Sequence, residues 1–293
     1  MMQVDHLSKT YGAKQAIRDL SFSVAPGEAF GLVGPNGAGK STTIRCLMGF
    51  VRATSGLVTI ANKDCWRQVR EVHRMVGYLP GDVILPENLT GVQFLSDVLA
   101  LRGVSDRTNL NRLISHFDLN PKTLIRLMSK GTRQKLAIIA TLVHDPSVLI
   151  LDEPTSGLDP VMQQAFMDVI AEEHERGKTI ILSSHIFTEI ERICDRVAML
   201  KEGQLIASDE ISKLRAEQES LFEVTFSTLP DLAAFHGFRI VSQQGFVVTI
   251  AVQDNWVGLF KTLASMPVVH VRQRTLTLES VFRHYYYEDE ATV

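Results

Sequence analysis

The chain has 293 residues, enough for one large domain or a domain with an appendage, and its 45% hydrophobic content supplies a buried core. A formal net charge of −3 and a pI near 6.3 leave no electrostatic footprint for nucleic acid. Three scattered cysteines (Cys46, Cys65, Cys194) without a C-x-x-C pair argue against a disulfide framework or zinc site and make a reducing, cytosolic compartment the default.

The N-terminal stretch MMQVDHLSKTYG has no apolar signal-peptide core. No run reaches the roughly 18 apolar residues of a membrane helix, so the chain is expected to be soluble by itself, which leaves a membrane partner open. Met2–Leu7 and Ile17–Val24 read as strands, the second alternating Leu20, Phe22 and Val24 against Ser21 and Ser23. Between them Tyr11 is either a half-buried strand-edge residue or an aromatic that stacks on an adenine ring; the residues alone favour the former. Ala29–Val33 reads as a buried strand, Gly34–Thr42 as a glycine-rich loop and Thr42–Phe50 as a helix. Gly56–Ala61 is a further strand, followed by an exposed stretch, Asn62–Glu71. A strand ends at Val76-Gly77-Tyr78-Leu79-Pro80 and enters the loop Gly81–Asn88. Helices are predicted over Thr90–Arg102 with Thr90 as N-cap, Ser105–Phe117 and Lys130–His144, which makes residues from about 85 to 140 a helical insert. Ser147–Leu151 is a continuous apolar strand of the kind found inside a parallel sheet, with Asp152-Glu153 at its end. The helix Pro160–Arg176, the strand Thr179–Leu182 before Ser183-Ser184-His185, a helix Ile186–Cys194, and strands Val197–Leu200 and Gln204–Ala207 complete this part.

Asp209–Glu219 is polar and marks a boundary. Beyond it come a strand Leu221–Phe226, a short helix Leu229–Phe235, strands Phe238–Val241 and Phe246–Val252, a helix Asn255–Ser265, a strand Val268–Arg272 and a helix Leu278–Tyr287. That order is a βαββαβ, ferredoxin-like unit. The expected organisation is a domain over 1–215 and an α+β accessory domain over 216–293.

Gly34-Pro35-Asn36-Gly37-Ala38-Gly39-Lys40-Ser41-Thr42 fits G-x-x-x-x-G-K-[ST], a phosphate-binding loop between strand and helix. Its glycines let successive backbone N–H groups curl round phosphates, and the helix N-terminus adds partial positive charge. Lys40 can reach the β- and γ-phosphates, and Ser41 can ligate Mg²⁺. The apolar strand ending in Asp152-Glu153 supplies the complementary half: one acid to serve the metal through its water shell, one to polarise an attacking water.

GPNGAGKST, LILDEPTSGLD and ILSSH, in this order and spacing, resemble the ATP-binding subunit of ABC transporters over about Met1 to Arg215. The tail, with Leu278-Glu279-Ser280-Val281-Phe282, is similar to the extension of ABC-2-type exporter ATPases. The resemblance implies an α/β P-loop core with an antiparallel β subdomain and a helical subdomain. It implies that Tyr11 stacks on adenine, that Gly34–Thr42 bind the phosphates of ATP, and that Ser41 and Asp152 serve Mg²⁺. Glu153 would be the catalytic base and His185 a sensor of the γ-phosphate. Asp159 would link the site to its twin, besides being an ordinary N-cap. Ser129 and Gly131 fall in the family signature, normally L-S-G-G-Q, here Met128-Ser129-Lys130-Gly131-Thr132. Lys130 and Thr132 depart from it, while a hydroxyl and helix N-terminal amides remain. Where the family carries a glutamine after the strand VGYLP, this chain has Gly81-Asp82; either Asp82 substitutes one position later or water fills the gap. The implied partners are a second copy packed head to tail and an integral membrane permease subunit, which places the chain on the inner face of the membrane. The implied function is ATP hydrolysis that powers export. The alternative, an ABC-type ATPase acting on nucleic acid or ribosomes, finds no basic stripe, no second cassette and no room for a long coiled coil between Lys40 and Ser129. A P-loop kinase or GTPase leaves LDEPTSGLD unexplained.

Overall fold

A computed structural model of the chain describes residues 1–216, 220–252 and 255–274. The chain divides into two compact units, Met1–Asp209 and Glu210–Val293.

The first unit begins with β1 (Met2–Tyr11) and β2 (Lys14–Val24), long paired strands that a tight turn joins, and β3 (Ala29–Val33), buried at all five positions. Next come α1 (Lys40–Leu47), β4 (Ser55–Ile60), β5 (Lys63–Asp64), α2 (Val69–Met75) and β6 (Val76–Leu79). The helical insert follows as α3 (Gly91–Arg102), α4 (Thr108–His116) and α5 (Lys130–Leu142). The chain then returns through β7 (Val148–Asp152), α6 (Pro160–Glu175), β8 (Thr179–Ser183), α7 (Phe187–Ile193), β9 (Arg196–Lys201) and β10 (Gln204–Glu210).

These strands form two sheets. One has the order β2-β1-β4-β5 and is antiparallel throughout. The other has the order β10-β9-β3-β8-β7-β6, with β9, β3, β8, β7 and β6 all parallel. Near-continuous apolar runs such as AFGLV, VLIL and TIIL are what a parallel sheet covered on both faces requires. The two sheets share a core in which the rings of Phe22 and Phe30 stack at 5.1 Å. Central strands β3, β8 and β7 end on one side of the sheet, and ligands of α/β folds bind beyond such carboxyl ends. The phosphate loop, Asp152-Glu153 and His185 all follow those ends.

Several local expectations are corrected. Tyr11 does not sit in a connection: it closes β1, in register with Lys14. The first helix starts at Lys40 and stops at Leu47, because Gly49 (φ 63°) turns the chain where a Cβ would collide with the Cys65 carbonyl. The stretch Asn62–Glu71 is not a plain exposed loop, since it holds β5, the buried Cys65 and the start of α2. Thr90 caps α3 in a reciprocal capping box with Gln93.

The second unit holds α8 (Ile211–Ala216), β11 (Ser220–Phe226), β12 (Arg239–Gln244), β13 (Val247–Val252), α9 (Trp256–Ala264) and β14 (Val268–Arg274). The sheet order β12-β13-β11-β14, antiparallel throughout, is that of a split βαβ unit. Its first helix is reduced to a single 3₁₀ turn, Leu232–Phe235. The predicted Leu278–Tyr287 helix lies outside the described residues.

Candidate active site

The loop between β3 and α1 folds as a cradle because three of its glycines take φ values closed to other residues: Gly34 (156°), Gly37 (85°) and Gly39 (107°). Gly39 is also held where a Cβ would stand 3.0 Å from the Ala16 carbonyl, so the loop is pressed against β2. Lys40 is only 4% exposed, and its Nζ donates to Gly34 O at 2.7 Å and Pro35 O at 3.4 Å. Burial pulls its pKa below the ordinary lysine value, against the opposing pull of Glu153 and Asp152. The amine thus rests on the loop's own carbonyls, 3.7 Å from Glu153 Oε1.

Asp152 ends β7 and accepts from Ser41 Oγ at 3.2 Å and from Ser183 Oγ at 2.6 Å. Glu153 follows with φ 47°, a left-handed conformation that a non-glycine residue holds only under constraint. The constraint is visible: its N–H is shared between Ser183 O (3.0 Å) and Ser183 Oγ (3.1 Å). The turn throws the Glu153 carboxylate back toward the loop, between Lys40 and His185 Nδ1, the latter 3.4 Å from Oε2. Lys40, Ser41, Asp152, Glu153 and His185 therefore converge from three strand ends.

Two cavities flank this cluster. One, about 160 Å³, is lined by Lys14, Ala16, Asn36, Gly37, Gly39, Lys40, Ser41, Thr42 and Glu153. The other, about 270 Å³, is lined by Ser41, Arg45, Tyr78, Gly81, Asp82, Asp152, Glu153 and Ser156 among others. Asp82 thus faces the same space as Ser41 and Asp152. Gly81 keeps the loop close, since a Cβ there would stand 3.1 Å from Asp152 O.

The remaining predicted site residues stand apart. Tyr11 is 43% exposed, with Lys9 Nζ 4.8 Å from its ring centroid, and its register partner Lys14 lines the first cavity. Ser129 caps α5, accepting from the Thr132 N–H, while a Cβ on Gly131 would meet open space. Asp159 caps α6 by accepting from Met162 N–H. Ser129, Gly131 and Asp159 line neither cavity.

Sequence reasoning missed the residues that hold the site. Ser183 is fully buried and braces both acids. Buried Glu189 accepts from Thr155 Oγ1 (2.5 Å) and Ser184 Oγ (2.6 Å), tying the loop after Glu153 to the segment before His185. Gln134 on α5 donates to Pro154 O at 2.7 Å. The Lys130 side chain lies over Gly157 (φ 81°), filling the space of a Cβ there. The only sequence signal was the pair of serines in ILSSH, which precedes the histidine.

Residues 17–156 match the family model described as ABC transporter. An ABC transporter ATP-binding protein of Synechocystis is 36% identical, over 84% of this chain and 69% of its own. The Nod factor export ATP-binding protein I of Paraburkholderia xenovorans is 36% identical, over 74% of this chain and 73% of its own. The lantibiotic transport ATP-binding protein SrtF of Streptococcus pyogenes is 34% identical, over 72% of this chain and 91% of its own. A solved ATP-binding subunit of an ABC transporter superposes with a TM-score of 0.69 at 31% identity, covering 73% of this chain and 92% of that one. A dimeric bacterial ABC cassette, at 21% identity, covers 72% of this chain and 99% of its own with a TM-score of 0.66, and shares the fold. Family model, relatives and architecture agree: the chain belongs to the ATP-binding proteins of ABC transporters.

Proposed function

We propose that the chain hydrolyses ATP between the Lys40 loop and Asp152-Glu153, as the energising subunit of an exporter whose membrane-spanning part is a separate polypeptide. The observation that carries this reading is the buried Lys40 amine, resting on Gly34 O and 3.7 Å from Glu153. A phosphate is the natural replacement for both contacts. Incoming β- and γ-phosphates draw Lys40 off the carbonyls, take the N–H groups of residues 37–42, and free the Glu153 carboxylate to accept a proton from water in line with the γ-phosphorus. His185, beside Glu153, donates to the γ-phosphate oxygens. Most of the rate gain comes from positioning and fixed charge, as expected for phosphoryl transfer.

The Ser41 hydroxyl and Asp152 carboxylate, 3.2 Å apart at the edge of a polar cavity, suit a hard divalent cation. Magnesium needs only one or two carboxylates beside the substrate's phosphates, so a sparse oxygen set fits it. Ser41 would ligate it directly and Asp152 through water, and the ion would neutralise charge on the β- and γ-oxygens. Asp82 adds a third carboxylate to the lining of that cavity. Tyr11 is assigned to the adenine ring; it has to exchange Lys9 for the base.

Ser129, Gly131 and Asp159 lie outside both cavities, which suits a site completed by a second copy packed head to tail. The Ser129 hydroxyl and the amides opening α5 then face the γ-phosphate from the opposite side. Relatives named as dimeric cassettes are consistent with that assembly. Hydrolysis removes the shared γ-phosphate and with it the contact between copies.

No helix among the described residues is long and apolar enough to cross a membrane. A groove of about 400 Å³, lined by Phe50, Tyr78, Val83, Phe94 and Val98 among others, is the seat proposed for the membrane partner. Ile84 (91% exposed) and Leu101 (87%) on its lips are apolar side chains that need a cover. Loop 81–88 joins this groove to the Asp152 cavity, so partner and nucleotide act on one segment. The names of the relatives favour export. Co-expression with a multi-span membrane protein encoded beside this chain tests the reading: the parent co-purifies with it, and Leu101→Glu abolishes co-purification while leaving the isolated chain's ATPase rate within about twofold. Retention of the partner by that variant would remove the groove from the proposal.

A further inference from the structure

Helix α2 packs one side on the core through fully buried Val72, and His73 Nε2 anchors it 2.8 Å from Met48 O. Its exposed side carries Arg70 and Arg74, one turn apart, and Arg67 lies in the turn that leads into the helix, two residues before its start; all three are exposed. Trp66, 47% exposed, precedes them. Arg52, Trp66 and Arg67 line a cavity of about 260 Å³ together with Thr54 and Ser55. The nearby carboxylates do little to neutralise these arginines. Asp64 stands 3.8 Å from an Arg67 whose side chain is 82% exposed, and Glu71 is held by Lys63 and Gln68, with Arg74 acting on it at longer range. Arg70 and Arg74 form no ion pair among the described residues. These cations stand against a formal charge of −3 on the whole chain.

The same helix forms a wall of the groove assigned to the membrane partner. His73 lines that groove, the Arg102 guanidinium donates to His73 O, and the Phe50 ring meets the His73 ring edge-on at 5.6 Å. A partner that emerges from the bilayer and seats in this groove brings the outer side of α2 toward the leaflet. Anionic headgroups attract such cations, and indole rings settle at the headgroup level.

We infer that the exposed Arg67, Arg70 and Arg74, with Trp66 and Arg52, bind the anionic phospholipid headgroups of the leaflet around the membrane partner. The chain then touches its membrane through lipid as well as through protein. This inference rests on the reading of the groove, but its test uses vesicles without any membrane protein, so each can fail separately.

Purified full-length chain is floated with vesicles of phosphatidylcholine alone and of phosphatidylcholine mixed with phosphatidylglycerol. The expected result is binding to the mixed vesicles only, weakening as salt is raised. The combined Arg67→Gln, Arg70→Gln, Arg74→Gln variant should lose on the order of 100-fold in partitioning, from roughly fivefold per arginine. A charge-matched control, Arg107→Gln, Lys122→Gln, Arg126→Gln, removes three exposed cations from the helical insert and should partition within about twofold of the parent. Equal binding to both vesicle types, or equal losses in the two triple variants, would overturn the proposal. Loss of co-purification with the membrane protein in the arginine variant, with vesicle binding unchanged, would overturn it too, since these arginines would then recognise an acidic protein segment.

Discussion

Ser183→Ala removes one hydroxyl from beneath the two acids. In the parent, Ser183 Oγ donates to Asp152 Oδ1 at 2.6 Å and accepts from the Glu153 N–H at 3.1 Å, in a position with no solvent access. A buried hydrogen bond to a charged group contributes about 1.5–3 kcal/mol. Asp152 keeps Ser41 and Glu153 keeps the Ser183 carbonyl, so the loss is placed at about 2 kcal/mol rather than at the full cost of an orphaned carboxylate. For a cooperative unit of the size of Met1–Asp209 that corresponds to a Tm lower by about 4–8 °C. The functional effect is separable. The phosphate cradle does not touch Ser183, so metal-free affinity for a fluorescent ATP analogue should stay within about twofold. The increment that magnesium or manganese adds should fall about 10–100-fold, as when an outer partner of a metal-serving carboxylate is lost. Titration of nucleotide fluorescence with each metal, alongside steady-state hydrolysis, measures both. A variant that keeps the parental metal increment and the parental rate would refute the claim that Ser183 positions Asp152 and Glu153.

Three further outcomes are expected. In a Glu153→Gln background, ATP should convert the chain to a dimer by size-exclusion chromatography, and Ser129→Arg should prevent this while nucleotide binding to the monomer persists; a dimer in that variant would deny Ser129 a place at the interface. His185→Ala should slow hydrolysis on the order of 100-fold with ATP affinity nearly unchanged, read by stopped-flow against equilibrium binding. Burial, then the neighbouring Arg102, lowers the His144 imidazole from 6.5 to about 4. The unfolded chain therefore takes up this proton first, and stability falls as pH drops from about 6.5 toward 4. His144→Gln should flatten that limb in denaturant titrations across pH, and an unchanged slope would contradict it.

What could be read in the sequence was local. Gly34–Thr42 carry most of their conformation in their own residues, because glycines at φ 85° and 107° lead straight into a lysine that opens the helix. The apolar strand before Asp152-Glu153 was legible for the same reason, as was Thr90 as an N-cap, whose reciprocal bond with Gln93 the structure adds. The residues that hold the site are distant in sequence. Ser183 meets Asp152 across two neighbouring parallel strands, a contact set by β7–β8 register rather than by any motif. The left-handed Glu153 exists because that register delivers two acceptors to one N–H. Segment 62–71 looked exposed because its residues are polar, yet Cys65 is buried in the core and the stretch pairs with β4. Lys130 departs from the family signature, and its packing over Gly157 accounts for the side chain there: it braces the loop that leads to Asp159.

The most direct measurement is single-turnover hydrolysis of radiolabelled ATP by the parent, Lys40→Ala and Glu153→Gln, with binding followed in parallel by calorimetry. The expected result is loss of binding in the lysine variant, and in the glutamine variant full binding with hydrolysis slower by roughly 100- to 10,000-fold, the range for removal of a general base. Hydrolysis by Glu153→Gln at the parental rate, or ATP affinity undiminished in Lys40→Ala, would contradict it.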